Sequence, residues 1–416
     1  MKTQLSTQQR KTVLIAIALF AATAGALAYL PTLHGGSAVQ PPVRDPIAAL
    51  PTPPPGQTRG ERPVVEAVFV LDTTGSMGGL IQAAKDKIWS IAATMAAAGP
   101  APEIRMGLVA YRDRGDAYVT RVVDLTRDLD ALHAELFQLQ AAGGGDGPES
   151  VNQALHEALT RISWGQETDA YRVVFLLGDA PPHMDYQDDV PYNETLRLAG
   201  RRGIRVNAIQ CGADTQTRDT WQRIAQLGGG AYAQVAPDGN AVAIATPYDE
   251  RLARLSAELD DTRLYYGSDD ERAARAKELA ASAAVREAAP APVLARRATY
   301  AASASGKAAL LGDKELVEDV SSGAVKLEEI APGALPEPLQ GLPEAEQRRV
   351  VAERAERRAT LQGEIEQTAA ARTAYLRQQV DARGGAEDSL DRKLFDTVRE
   401  QAGAVGLRYN ADAPAY

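Results

Sequence analysis

The sequence has few of the residues that define several common classes of protein. Its 416 residues include a single cysteine, Cys211, and only 5% aromatic residues. One cysteine excludes an intramolecular disulfide framework, and its position in the apolar run 206–211 favours a small buried hydrophobe over a reactive thiol. The formal net charge is −10, so the chain lacks the excess of lysine and arginine that neutralises a phosphate backbone. We therefore expect no nucleic-acid partner.

The remaining composition is that of a globular protein. Hydrophobic residues make up 45% of the chain and charged residues 24%, which argues against both general disorder and a protein with many membrane spans. At roughly 100–200 residues per domain, the length predicts two or three folded units. All three tryptophans lie between residues 64 and 235, so we expect the best hydrophobic core there.

The first 30 residues predict export from the cytoplasm. A positively charged flank precedes the uncharged run 12–30, whose length suits either a signal peptide or an N-terminal membrane anchor. Residues 26–28, Ala-Leu-Ala, offer a small-x-small cleavage site, so both alternatives remain open. Either one places the rest of the chain in the periplasm or at the cell surface, with a membrane link if the segment is uncleaved. The proline-rich segment 31–63 predicts an extended linker.

Between residues 64 and 240 the apolar pattern alternates between strands and helices. The predicted strands are 64–71, 104–111, 118–123, 172–177, 204–211 and 231–235, and the predicted helices are 80–95, 129–140, 148–162, 192–202 and 219–227. The turn 112–116 is too short for a parallel crossover, so it joins an antiparallel pair. The pattern predicts an α/β fold: a Rossmann-like, doubly wound, six-stranded sheet with one antiparallel strand.

Oxygen-bearing side chains follow two of these strands at the point where each strand ends. Asp72, Thr74 and Ser76 follow the first strand, and Asp179 follows the fourth. Ligands of open α/β sheets bind outside the carboxyl ends of the strands, and oxygen ligands suit hard cations such as Mg²⁺. Each residue alone also fits a turn or a helix N-cap. Their combination favours a divalent-metal site.

The same residues resemble the von Willebrand factor type A (vWA) domain and its metal-ion-dependent adhesion site. The family's Asp-x-Ser-x-Ser motif appears here as Asp72-Thr73-Thr74-Gly75-Ser76, and its acidic residue after the fourth strand matches Asp179. The resemblance covers residues 64–240. It implies a domain that binds a protein ligand through a divalent cation, with the ligand often donating a carboxylate. Mg²⁺ is the expected ion, with Ca²⁺ and Mn²⁺ as alternatives.

The loop before the third predicted helix departs from the family pattern. The family usually has a threonine there, whereas this loop reads Gly-Gly-Gly-Asp146-Gly-Pro-Glu149. Either Asp146 replaces the threonine as a metal ligand, or it caps a helix that opens at Pro148. Ligation by Asp146 would favour tight retention of the cation. Glu149 and His183 lie on loops that we expect to rim the site, where each is either a ligand contact or an ordinary loop residue.

No motif pairs a nucleophile with a general base, so we expect a binding protein and not an enzyme. One alternative is a structural envelope scaffold with a purely structural metal site. Another is a metal-assisted hydrolase, which would need His183 or Glu149 as its base.

Residues 241–416 predict a mainly α-helical region. Its composition shifts to alanine, glutamate, arginine and leucine, with long helices expected at 249–288 and 344–382 and a shorter one at 394–409. The apolar positions of 344–382 follow the heptad pattern only loosely. We therefore expect a solvated helix that docks one narrow face, in preference to a dimeric coiled coil.

Overall fold

The computed structural model describes residues 62–145 and 147–409, together with Pro414 and Tyr416. The predicted export segment, residues 31–61 of the linker and Asp146 lie outside this part of the chain. Within the described residues, no helix combines the length and the apolar character needed to cross a membrane.

One six-stranded sheet forms the centre of residues 64–235. Its strands are β1 (Val64–Asp72), β2 (Glu103–Tyr111), β3 (Thr120–Thr126), β4 (Tyr171–Gly178), β5 (Ile204–Cys211) and β6 (Gly229–Val235). The spatial order is β3-β2-β1-β4-β5-β6, and only β3 runs antiparallel to its neighbour. The predicted fold class is confirmed. Strand order reverses around β1, so the switch point lies where β1 and β4 end.

Helices cover both faces of the sheet. They are α1 (Gly78–Ala96), α2 (Leu129–Phe137), α3 (Val151–Thr160), α4 (Tyr192–Arg201) and α5 (Thr215–Leu227). Alternate β1 residues enter two separate cores: Val65 and Ala67 pack with α1 and α2, whereas Val68 and Val70 pack with α3, α4 and α5. Burial on both faces explains why the β1 sequence is almost continuously apolar.

The start of α3 differs from the prediction. The helix begins at Val151 with Ser150 in the N-cap position, and not at Pro148. The reason is a tertiary contact, because Glu149 forms an isolated parallel β-bridge with Pro182. No helix therefore begins at Pro148, whereas both alternatives for Asp146 concern a residue outside the described part of the chain.

Seven further helices follow the sheet in the described residues. They are α6 (Asp249–Asp260), α7 (Asp269–Ala288), α8 (Ala291–Ala302), α9 (Ala304–Leu311), α10 (Leu316–Ser321), α11 (Glu344–Ala382) and α12 (Leu390–Ala402). The predicted continuous helix 249–288 is wrong, because the chain turns at Gly267 with a φ of 131°. Ser268 and Glu271 then form a capping box that starts α7.

The helices after β6 pack onto one another and onto α1. The 39-residue helix α11 buries one face, including Leu361 and Ile365, against α6 and α8. The predicted helix 394–409 begins and ends earlier, as α12, which contacts α1 and β6. Beyond α12, Arg408 and Tyr409 pair antiparallel with Gly99 and Ala98.

Candidate metal site

The turn that follows β1 presents one oxygen of Asp72 without a hydrogen-bond partner. Asp72 is completely buried. Its Oδ1 accepts hydrogen bonds from the backbone nitrogen of Thr74 at 2.8 Å and from Thr74 Oγ1 at 2.7 Å. Its Oδ2 is buried and accepts no hydrogen bond. Because a buried carboxylate oxygen without a donor is costly, this atom is positioned for a ligand that the protein does not supply.

The unpartnered oxygen faces the end of β4. A Cβ atom added at Gly178 would lie 3.0 Å from Asp72 Oδ2 and 2.5 Å from the hydroxyl oxygen of Tyr111. Any side chain at this position would therefore collide with the Asp72 environment. Glycine at the end of β4 allows β1 and β4 to bring Asp72 and Asp179 to the same edge of the sheet.

Ser76 and Asp179 lie on the more accessible side of this edge. Ser76 is exposed and belongs to the single 3₁₀ turn Gly75–Met77 that leads into α1. Asp179 is half-buried, and its backbone oxygen accepts a 3.1 Å hydrogen bond from Thr217 Oγ1. The site therefore combines the buried side chains of Asp72 and Thr74 with the more accessible ones of Ser76 and Asp179.

The glycine loop before α3 covers the Asp72 turn. The oxygen of Gly143 accepts a 3.1 Å hydrogen bond from the nitrogen of Gly75. Gly143 and Gly144 have φ values of 79° and 76°, a region that favours glycine. A Cβ atom at Gly144 would lie 2.9 Å from Glu149 Oε1 and 3.2 Å from Thr74 Cβ. This close approach brings Glu149 beside the turn.

Carboxyl groups are concentrated at this edge of the sheet. Burial raises the pKa of Asp72 to about 7, the Thr74 hydrogen bonds lower it, and the Asp179 charge raises it. Burial also raises the pKa of Glu149 to about 9, with further increases from the charges of Asp72, Asp113, Asp116 and Asp179. A divalent cation among these groups would favour their charged forms.

His183 contacts two acidic side chains, Asp185 and Asp113. Its Nδ1 lies 2.8 Å from Asp185 Oδ1, and its Nε2 lies 3.5 Å from Asp113 Oδ2. The imidazole ring also stacks on Tyr186 with a centroid distance of 4.1 Å. The structure therefore places His183 in the loop that follows Asp179, with its ring held by three neighbours.

Asp113 and Asp116 were not predicted as site residues, because they lie in the short turn 112–116. Asp113 accepts hydrogen bonds from Ser150 Oγ and from the Tyr186 hydroxyl, both at 2.8 Å. Asp116 Oδ2 accepts from the backbone nitrogen of Gly144 at 3.0 Å. Both residues follow the end of strand β2. The rule that ligands bind at strand ends, which pointed to Asp72, could therefore have pointed to them as well.

The described residues contain no group of three or more histidine, cysteine, aspartate or glutamate side chains arranged to hold a metal ion. The Asp72 turn differs from such a group because two of its expected ligand oxygens belong to the hydroxyls of Thr74 and Ser76.

The doubly wound sheet and the strand-end turn define a Rossmann-like α/β domain. The family model described as "von Willebrand factor A domain" matches residues 66–247. This part of the chain is therefore a vWA domain.

The alignments with curated relatives cover only part of each chain. The human and rat proteins named "von Willebrand factor A domain-containing protein 7" are 33% and 35% identical to this chain over 147 residues. The alignments cover 35% of this chain and 15% of each relative. The matched region is thus a small fraction of those proteins.

Similar solved structures include the SpRpn10 VWA domain, with a TM-score of 0.33 and 14% identity over 42% of this chain and 88% of that chain. Another is proximal thread matrix protein 1 from the mussel byssus, described with a zinc-occupied MIDAS motif, with a TM-score of 0.32 and 15% identity over 42% and 43% of the two chains. Likeness at this level carries no argument about function.

Proposed function

We propose that the chain is a protein-binding module that depends on a divalent metal, acts outside the cytoplasm and catalyses no reaction. A vWA domain implies a protein-interaction module. The observation that carries the metal dependence is the buried Asp72 Oδ2, which has no hydrogen-bond partner. The Thr74 hydroxyl donates to the other oxygen of the same carboxylate, Oδ1.

The ligand chemistry at the β1 turn fits a hard cation. Asp72, Thr74 and Ser76 would hold the ion, with Asp179 directly or through water, all through oxygen atoms, which Mg²⁺, Mn²⁺ and Ca²⁺ prefer over nitrogen or sulfur. Mg²⁺ is our first choice. The bound ion would supply a positive charge on the side where Ser76 is exposed, and an acidic side chain of a protein partner would complete its coordination there.

Metal removal and an Asp72 substitution test this site. We expect calorimetry on residues 62–416 to show binding of Mg²⁺, Mn²⁺ or Ca²⁺, and Asp72→Ala to abolish it, because the substitution removes a fully buried carboxylate of the site. Asp185→Ala is the matched control, since its side chain is 75% exposed, and it should bind the ion like the unmodified chain. Unchanged binding in a folded Asp72→Ala variant would disprove the assignment.

The alternative is an envelope scaffold whose metal is purely structural, and the packing of α7, α8, α9 and α12 onto helices and strands of the vWA domain favours it. The two functions differ in whether a coordination position is open. In the binding module, acetate used as a carboxylate probe should change the apparent metal affinity. In the scaffold it should have no effect.

The location outside the cytoplasm rests on residues 12–30 and is a separate prediction. A reporter enzyme that is active only outside the cytoplasm, fused after residue 60, should be active because the uncharged run directs translocation. The same fusion without residues 1–30 is the control and should be inactive. Activity of a cytoplasm-only reporter at residue 60 would contradict the proposal, and N-terminal sequencing of the mature protein would show whether the segment is cleaved.

A further inference from the structure

We infer that Glu149 ligates the metal ion, in the position for which the sequence favoured Asp146. The inference rests on the metal site proposed above and adds a ligand to it. The negative charge of Glu149 would also strengthen binding of the cation and weaken the attraction of an acidic partner.

The backbone of Glu149 is fixed against the loop that follows Asp179. Its nitrogen donates a 2.9 Å hydrogen bond to the oxygen of Pro181, and its oxygen accepts a 3.0 Å hydrogen bond from the nitrogen of His183. The bridge joins the segment before α3 to the segment after β4. Glu149 is therefore held at the same sheet edge as Asp179 by main-chain contacts.

The side chain of Glu149 extends to the Asp72 turn. Gly144 is so close to both Glu149 Oε1 and Thr74 Cβ that a methyl group at position 144 would contact each of them. The carboxylate is therefore separated from Thr74 only by the width of a glycine. The loop between them has no space for a larger residue.

Glu149 also has an oxygen that the protein leaves without a partner. The residue is 4% exposed, and Oε2 is buried without a hydrogen bond. Asp72 Oδ2 is in the same condition. Two buried carboxyl groups with one unsatisfied oxygen each are costly in their ionised forms, and a cation that contacts both oxygens would offset this cost.

The neighbouring carboxylates have a different role. Both oxygens of Asp113 accept hydrogen bonds, from Ser150 and Tyr186, and Asp116 Oδ2 accepts from two backbone nitrogens. These groups fix the loops around the site. The contrast selects Glu149 as the ligand and Asp113 and Asp116 as its supports.

Ligation by Glu149 changes the charge of the site. With Asp72 it places two carboxylates on the ion, and Asp179 acts from the same sheet edge through water, so three carboxylates face one divalent ion and one net negative charge remains. The cation is then held more tightly, and the carboxylate of a partner is attracted less. Removal of the Glu149 charge should shift both properties in opposite directions.

The test is a metal titration of residues 62–416 with Glu149→Gln and Glu149→Asp. We expect Glu149→Gln to weaken Mn²⁺ binding at least tenfold, about 1.4 kcal/mol, and to strengthen acetate binding per bound ion. Glu149→Asp keeps the charge, but its side chain is one methylene shorter and its oxygens lie farther from the ion. It should therefore also weaken Mn²⁺ binding. Terbium luminescence lifetimes in H₂O and D₂O should show one more coordinated water in Glu149→Gln, which a distant charge effect would not produce.

Two controls separate the possible failures. Asp146→Asn tests the competing ligand and should bind within threefold of the unmodified chain, as should Asp185→Asn at the exposed rim. If Glu149→Gln has unchanged affinity and unchanged water count while Asp72→Ala abolishes binding, the inference about Glu149 is wrong and the metal site stands. If the unmodified chain binds no divalent ion, both proposals are wrong. Circular dichroism confirms that each variant is folded.

Discussion

A fragment of residues 62–247, which spans the vWA domain, should fail to fold cooperatively by itself. The core on the α1 side of the sheet includes apolar side chains contributed from beyond residue 247. The larger ones are Val285, Val293, Leu294, Tyr300, Leu390, Leu394, Val398 and Leu407. Each such side chain contributes about 1.5–3 kcal/mol when buried. Together they equal or exceed the whole stability of a typical domain, about 5–15 kcal/mol.

The 62–247 fragment would also lose polar contacts that stabilise the domain. Lys87 on α1 forms a 3.1 Å ion pair with Asp391 on α12, and both side chains are almost fully buried. The hydroxyl of Tyr171 donates a 2.8 Å hydrogen bond to Gln401, whose amide donates a 2.7 Å hydrogen bond to Asn207. Truncation would leave Lys87 on α1 and the Tyr171 hydroxyl on β4 without these partners.

Thermal unfolding followed by circular dichroism, with a dye that binds exposed apolar surface, measures this effect. Residues 62–416 should unfold in a single sharp transition, whereas residues 62–247 should bind the dye and show no sharp transition. A third chain, in which a flexible linker joins residue 240 to residue 386, restores α12 and should recover part of the transition. A cooperative transition at the same temperature in the 62–247 fragment would refute the prediction.

The fold could be predicted where local pattern and burial agree. β5 occupies Ile204–Cys211, as the apolar run predicted, and α11 occupies Glu344–Ala382, as predicted, with Pro343 before it and glycines after it. Both elements follow from short-range rules. The start of α3 did not, because the Glu149–Pro182 bridge joins segments about 30 residues apart and leaves no periodic signal.

The candidate site divides in the same way. Asp72, Thr74 and Asp179 could be selected because strand ends are visible in the sequence. The burial of Glu149 could not, because it depends on the loop after β4 and on the close approach of Gly144. The packing of α12 on α1 was equally hidden, since an amphipathic helix shows which face it buries but not its partner.

Replacement of Arg297 by methionine should be the most damaging single substitution among the charged residues of the helical layer. Arg297 on α8 is 2% exposed. It donates two hydrogen bonds to Asp130 on α2, at 2.7 and 2.6 Å, and one to Ser256 on α6 at 2.8 Å, and it pairs with Asp260 at 2.9 Å. Methionine retains much of the volume but leaves Asp130 buried without its cation, so we expect a loss of about 3–5 kcal/mol of unfolding free energy.

The pH dependence of this loss identifies its cause. In the unmodified chain, burial raises the pKa of Asp130, but Arg297 more than offsets this and the pKa lies below its ordinary value. Asp130 therefore stabilises the folded state above the ordinary aspartate pKa, about 3.9, and this contribution is lost as the pH falls below it. Without Arg297, burial should raise the pKa of Asp130, so the deficit of the variant should be largest near neutral pH and shrink towards pH 4.

Urea unfolding of Arg297→Met, Arg251→Met and the double variant Arg297→Met/Asp130→Leu measures the pair. Arg251 belongs to an exposed ion pair with Glu364, so its substitution should change the stability by less than about 0.5 kcal/mol. The double variant should recover most of the stability lost in Arg297→Met, because it removes the unpaired carboxylate as well. A double variant no more stable than the single one would show that the loss comes from packing around residue 297 and not from the charge left on α2.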